Sequence, residues 1–246
     1  MLGTDNLGEQ ALNKIAEIAL STQLDQLDRL EVQVKTDPGR LTQGEVESLI
    51  IDGEGLVMQQ DLRMQEMKIK ISSVAVDPLK ALTGNLELTK PTQGTAEILL
   101  TEADINRAFN SDTLSNQMLG LNISVEGKQM VIDTEQVDCH FLADGQVSLD
   151  AQILLRQTGE TRAVSFTATP RISNDGRRVC LENVQYAQGK ELSPELTQAL
   201  VAKASDILNL SNFEMEGISL RLHQLQVEAG KLRLRATADV TQFPSA

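Results

Sequence analysis

The chain has no tryptophan, one tyrosine and five phenylalanines in 246 residues. Without aromatic platforms it cannot stack bases as single-strand nucleic-acid binders do. Positive charge is also short: 22 Lys and Arg against 35 Asp and Glu leave a net charge of −13. That field repels a phosphate backbone, so no nucleic acid is expected as a partner. Two cysteines, Cys139 and Cys180, are too few for a disulfide framework and match no zinc spacing. Both fall in alternating apolar segments, which suits small buried thiols. The two histidines, His140 and His223, have no partner at ligand spacing, so neither a metal site nor a cofactor is expected. The phosphate-binding loop, the dinucleotide glycine fingerprint and the serine nucleophile elbow are all absent, and with them the usual marks of an enzyme. The longest apolar run is Ala199-Leu200-Val201-Ala202, too short for a membrane span or a signal-peptide core. The expected location is cytoplasmic or at a membrane periphery, and periplasmic if a signal has been trimmed.

Hydrophobic residues make up 41% of the chain, and its 16 glycines lift the apolar share to about 47%, the globular norm. Leu7, Ala11, Leu12, Ile15, Ile18 and Ala19 recur at steps of three and four, which predicts an N-terminal amphipathic helix within residues 1–28, capped by Asp5 or Asn6 and packed through Leu12, Ile15 and Ala19. From Leu30 the period becomes two, with Val32 and Val34 following, and Asp37-Pro38-Gly39 then predicts a turn. Alternation returns over Met67–Ile71, Val147–Leu155, Val164–Ala168 and Leu232–Val240. Asp144-Gly145, Asn174-Asp175-Gly176 and Ala229-Gly230 supply the hairpin turns. Two further helices are expected near 101–110 and 193–209. Thr101 with Asp104 forms a capping-box pattern ahead of Ile105, Ala108 and Phe109, and Ser193-Pro194-Glu195 opens the other. No linker interrupts the chain and no residue-by-residue repeat is evident. The expectation is one α+β domain over 1–246 with more strand than helix.

Six internal methionines join abundant Leu, Ile and Val, while bulky aromatic filler is scarce. Such an inventory suits either a tightly packed aliphatic core or a flexible lining for acyl chains. Lys231, Arg233 and Arg235 alternate with Leu232 and Leu234, placing three cations on one face of a strand. That stripe is either a solvated strand face or a contact for anionic head groups.

The runs Leu82-Thr83-Gly84-Asn85-Leu86-Glu87-Leu88 and Leu99-Leu100-Thr101-Glu102-Ala103-Asp104-Ile105-Asn106-Arg107-Ala108-Phe109 resemble the LmeA-like phospholipid-binding family. Gln43-Gly44-Glu45-Val46-Glu47-Ser48, leading into Gly53-Glu54-Gly55-Leu56, and the ending Phe243-Pro244 add to the likeness, which extends from about Leu30 onward. The resemblance implies a long curved antiparallel sheet wrapped around an amphipathic helix, like half of a tubular, BPI-like lipid-binding module. It also implies a phospholipid or fatty-acyl lipid as partner, transient membrane contact, and no catalytic residue. The residues from about 30 to 246 would then form the sheet with its two later helices.

Alternation nominates the groove lining: Met67, Ile69 and Ile71; Leu86 and Leu88; Val147, Leu149 and Ile153; Leu232 and Leu234. Lys231, Arg233 and Arg235 are the head-group and membrane candidates. The other reading is a structural or scaffolding protein whose core packs shut and whose outer face binds a protein partner.

Overall fold

Side chains that alternate between apolar and polar can bury one face of a strand and wet the other, and this chain uses that rule along most of its length. The computed structural model describes residues 7–36, 38–41, 43–58, 61–77, 87–125, 128–186, 201–202, 205 and 217–242. In order, these form helix α1 (Leu7–Ser21), β1 (Arg29–Lys35), a single turn of helix α2 (Pro38–Leu41), β2 (Glu45–Met58), β3 (Leu62–Ala75) and β4 (Thr92–Thr101). Helix α3 (Glu102–Phe109) and the short α4 (Asp112–Ser115) follow, then a 3-10 turn (Asn116–Met118) and β5 (Leu121–Val125). The rest is β6 (Lys128–Phe141), β7 (Val147–Leu155), β8 (Glu160–Ile172), β9 (Val179–Tyr186), β10 (Ile218–Glu228) and β11 (Lys231–Val240).

Among the described residues the strands divide into two antiparallel sheets, ordered β1-β2-β3-β4-β11-β10 and β5-β6-β7-β8-β9. The class is α+β with long, strongly curled strands forming a half-barrel. Residue Thr92 pairs with Val240 and Thr101 with Lys231, so the C-terminal hairpin completes the sheet begun by the N-terminal strands. Curl is built in locally. Ladder registers shift between Thr134 and Gln136, Thr167 and Thr169, and Leu222 and Gln224, and each such bulge bends its strand. Ser73 adopts a left-handed conformation at φ 59°, and the inward-facing set passes from Ile71 to Val74 across it.

The expected turn residues sit at the hairpins, with Gly145, Gly176 and Gly230 at positive φ. The segment Asp37-Pro38-Gly39 departs from expectation, because Pro38 opens helix α2 instead of a simple turn. Helix α1 buries Leu12 and Ala16, while Ile18 is 55% exposed. Its caps, Asp5 and Asn6, lie outside the described residues. So does most of the helix expected over 193–209; Val201, Ala202 and Ser205 are helical, and Val201 packs against the second sheet's core.

Both helices that flank the sheets use polar side chains to complete an open strand edge. On α1, Glu9, Asn13 and Glu17 accept the N–H groups of Thr36, Val34 and Val32 at 3.0, 2.7 and 3.4 Å. On α3, Glu102 accepts Phe141 N–H at 2.6 Å. Asn106 accepts from Cys139 N–H at 2.6 Å and donates to Cys139 C=O at 3.0 Å. Asn110 does the same for Val137, at 3.2 and 2.8 Å. The spacings match because four helical residues rise about 6 Å and two strand residues about 6.6 Å. The second edge needs this, since β5 pairs with β6 only through Lys128–Ile132. The two helices thus share a short pattern, Glu9-Gln10-Ala11-Leu12-Asn13-Lys14 and Glu102-Ala103-Asp104-Ile105-Asn106-Arg107, doing the same work.

Removing Asn106 strands two backbone groups on a residue that is 4% exposed. Asn106→Ala is expected to cost about 2–4 kcal/mol, and Asn110→Ala, whose side chain is more exposed, about 1 kcal/mol. Urea unfolding midpoints measure both. Equal, negligible losses would contradict the edge-completing role.

Candidate functional site

The concave faces of the two sheets leave space between them. Strand β3 contributes Met67 and Ile69 to its wall, β7 contributes Val147, Leu149 and Ile153, and β11 contributes Leu232 and Leu234. Helix α3 closes one side with Ile105, Ala108 and Phe109. The cavity is partly open and measures about 320 Å³, within the range of roughly 300–1,000 Å³ common for ligand pockets. Among the described lining residues, only Arg63, Asp104 and Thr134 carry a charge or a hydroxyl.

Other nominated residues lie elsewhere. Ile71 is 3% exposed and packs in the core under α1 with Leu12, Val32 and Val74, not on the cavity wall. Leu88 packs against that same core and bridges to Val76. Leu86 lies outside the described residues. Lys231, Arg233 and Arg235 share the outer face of β11, opposite Leu232 and Leu234. Arg233 lies 3.5 Å from Glu228, and Arg235 lies 3.3 Å from Glu97 and donates to Gln224 at 3.2 Å.

Sequence reasoning missed the cavity's polar feature. Asp104 was legible only as a helix cap. Its Oδ2 accepts from Thr101 N–H and Oγ1–H, both at 2.8 Å, and Thr101 Oγ1 accepts Asp104 N–H at 3.2 Å. The remaining oxygen, Oδ1, accepts from Arg63 Nη1 at 2.7 Å. The Asp104 side chain is 2% exposed and that of Arg63 is 23% exposed, so the pair runs from solvent into the wall. The hydrogen bond to Asp104 holds the Arg63 guanidinium still more firmly protonated. Nothing in the alternation marks Arg63, because its partner is distant in sequence.

Cys139 and His140 are neighbours that face opposite ways. The Cys139 thiol lines the cavity, while His140 is on the outer face 3.7 Å from Glu102. Burial pushes the Cys139 thiol up to about 12. Among the described residues, no cluster of His, Cys, Asp and Glu could hold a metal ion, and no helix is long and apolar enough to cross a membrane.

Curled antiparallel sheets and amphipathic helices thus define a curved-sheet module around an apolar internal space. The chain belongs to the LmeA-like phospholipid-binding family, whose model matches residues 3–237. No curated protein and no solved structure matches it. The stretch Leu100 to Asn110, within the matched residues, holds Glu102, Asn106 and Asn110, the residues that seat α3 on β6.

A thiol raised by burial reacts slowly, because the thiolate is the nucleophile. At pH 8 a thiol reagent is expected to modify half-buried Cys180 quickly and Cys139 slowly, with both reacting in urea. Equal native rates would contradict Cys139's place in the wall. The unfolded thiol ionises near its ordinary 9.0 and the folded one only near 12, so stability also falls as pH climbs between these values.

Proposed function

We propose that the chain acts as one unit that holds the acyl chains of a phospholipid in the cavity between its two sheets, without catalysis, and exchanges that lipid by brief contact with a membrane. The observation that carries this reading is the wall itself: aliphatic side chains from both sheets and α3 surround a space instead of filling it. Each methylene transferred from water into such a lining contributes about 0.8 kcal/mol. Membership of a phospholipid-binding family supports the same partner. Methionines at Met58, Met64 and Met67 suit chains of varied shape, since the unbranched thioether adapts to irregular neighbours.

Leu149 stands on the cavity wall between Cys139 and Phe166. Leu149→Trp is expected to lower lipid occupancy, read by native mass spectrometry and extraction, with a loss of stability below about 1.5 kcal/mol, because the added ring enters free space. A larger loss with unchanged lipid content would favour the closed-core scaffold instead.

Exchange needs contact with a bilayer, and a net charge of −13 opposes anionic surfaces. Lys231, Arg233 and Arg235 are the proposed contact. Each cation near an anionic membrane contributes about 1 kcal/mol, and the neighbouring Glu228 and Glu97 offset part of it. Flotation with anionic liposomes should therefore show weak binding at low salt, lost at high salt and lost when all three become glutamine. Binding indifferent to those substitutions would remove the patch from the account.

A further inference from the structure

Among the described residues that line the cavity, Arg63 is the one cation, and it is not saturated. Its Nη1 donates to Asp104 at 2.7 Å and to Gln65 at 3.0 Å, which anchors the guanidinium from the protein side. Its outer edge is different. Nη2 reaches Asp28 at a long 3.3 Å, and Nε has no acceptor among the described residues. The Asp28 side chain is 72% exposed. Its backbone is fixed by Asp28 N–H donating to Glu54 C=O at 3.0 Å, and its carboxylate lies over Gly55, where any Cβ would overlap it. Arg29, next in sequence, offers no second anion site, being committed to Glu54, Asp52 and Glu31.

The Nε–Nη2 edge of an anchored guanidinium presents two parallel donors to a phosphodiester. A phosphate seated there displaces Asp28, which is left as an exposed carboxylate beside the bound group. An anionic head group would leave that charge uncompensated, whereas a head group carrying an ammonium would pair with it. We infer that this rim of the cavity selects a zwitterionic phospholipid head group, Arg63 taking the phosphate and Asp28 the ammonium. The inference rests on the lipid-holding reading above.

The test loads the delipidated full chain from vesicles holding equal phosphatidylethanolamine and phosphatidylglycerol with identical acyl chains, and reads the bound ratio by native mass spectrometry. Phosphatidylethanolamine should be enriched about fivefold, the factor that one partly exposed ion pair of about 1 kcal/mol supplies. Asp28→Asn should bring the ratio close to one. Asp144→Asn, the same charge change at the β6–β7 turn, should leave it enriched. Arg63→Gln alone strands the buried Asp104 carboxylate, so Arg63→Gln is combined with Asp104→Asn, and that pair should also lose the preference. Bound lipid in the vesicle ratio, or a preference unmoved by Asp28→Asn, would overturn the head-group assignment while leaving lipid holding intact. No lipid in any arm would overturn both. Glycerophosphoethanolamine, which has no acyl chain, should not be retained at millimolar concentration; retention as tight as the lipid's would make this a soluble-phosphoester site and overturn the lipid assignment.

Discussion

An open strand edge presents N–H and C=O groups that must find partners, either in solvent, in another chain or in the protein itself. Strand β1 ends the larger sheet, and β6 outruns its partner β5 beyond Ile132. In both places a helix lies along the edge and supplies side-chain oxygens in place of a strand. Much else follows from that placement. Seated by Glu102, Asn106 and Asn110, α3 directs Ile105, Ala108 and Phe109 into the cavity and delivers Asp104 to Arg63. Seated by Glu9, Asn13 and Glu17, α1 drops Leu12 and Ala16 onto the other core.

The two apolar clusters do different work. The one under α1 is compact, with Val32 1%, Ala236 1% and Ala238 0% exposed, and small or β-branched residues there let strands and helix approach closely. The one between the sheets uses longer side chains, and the four described aromatic residues, Phe109, Phe141, Phe166 and Tyr186, all belong to it or pack against it. Phe166 and Tyr186 make one edge contact, with ring centroids 6.5 Å apart. Among the described residues, a space lined mainly by aliphatic side chains remains beside these rings.

Alternation made the strands and their inward faces legible, from Val147 to Leu155 and from Leu232 to Val240, because a period of two is a local property. The capping box at Thr101 and Asp104 was legible for the same reason. Division into two sheets was not, since it depends on β11 pairing with β4 across more than half the chain. Nor was the fate of Ile71: it shares a face with Met67 and Ile69, but the sheet's curl carries it beyond the cavity into the core under α1. The rows of helix side chains escaped notice because Asn106 and Asn110 read as ordinary polar surface until a strand edge lies beside them. Arg63 was invisible on its own, and its meaning comes from Asp104, from Asp28 and from the apolar wall it interrupts.

If the chain holds lipid as proposed, the acyl chains enter the space between the sheets. Methyl NMR of the protein loaded with a phospholipid bearing a nitroxide on its acyl chain tests it most directly. Strong broadening of the Met67, Leu149, Ile153 and Leu232 methyls is expected, with those of Val34 and Val74 in the other core spared. Broadening confined to the exposed side chains of Ile18, Leu27 and Leu119 would place the lipid on the surface and contradict it.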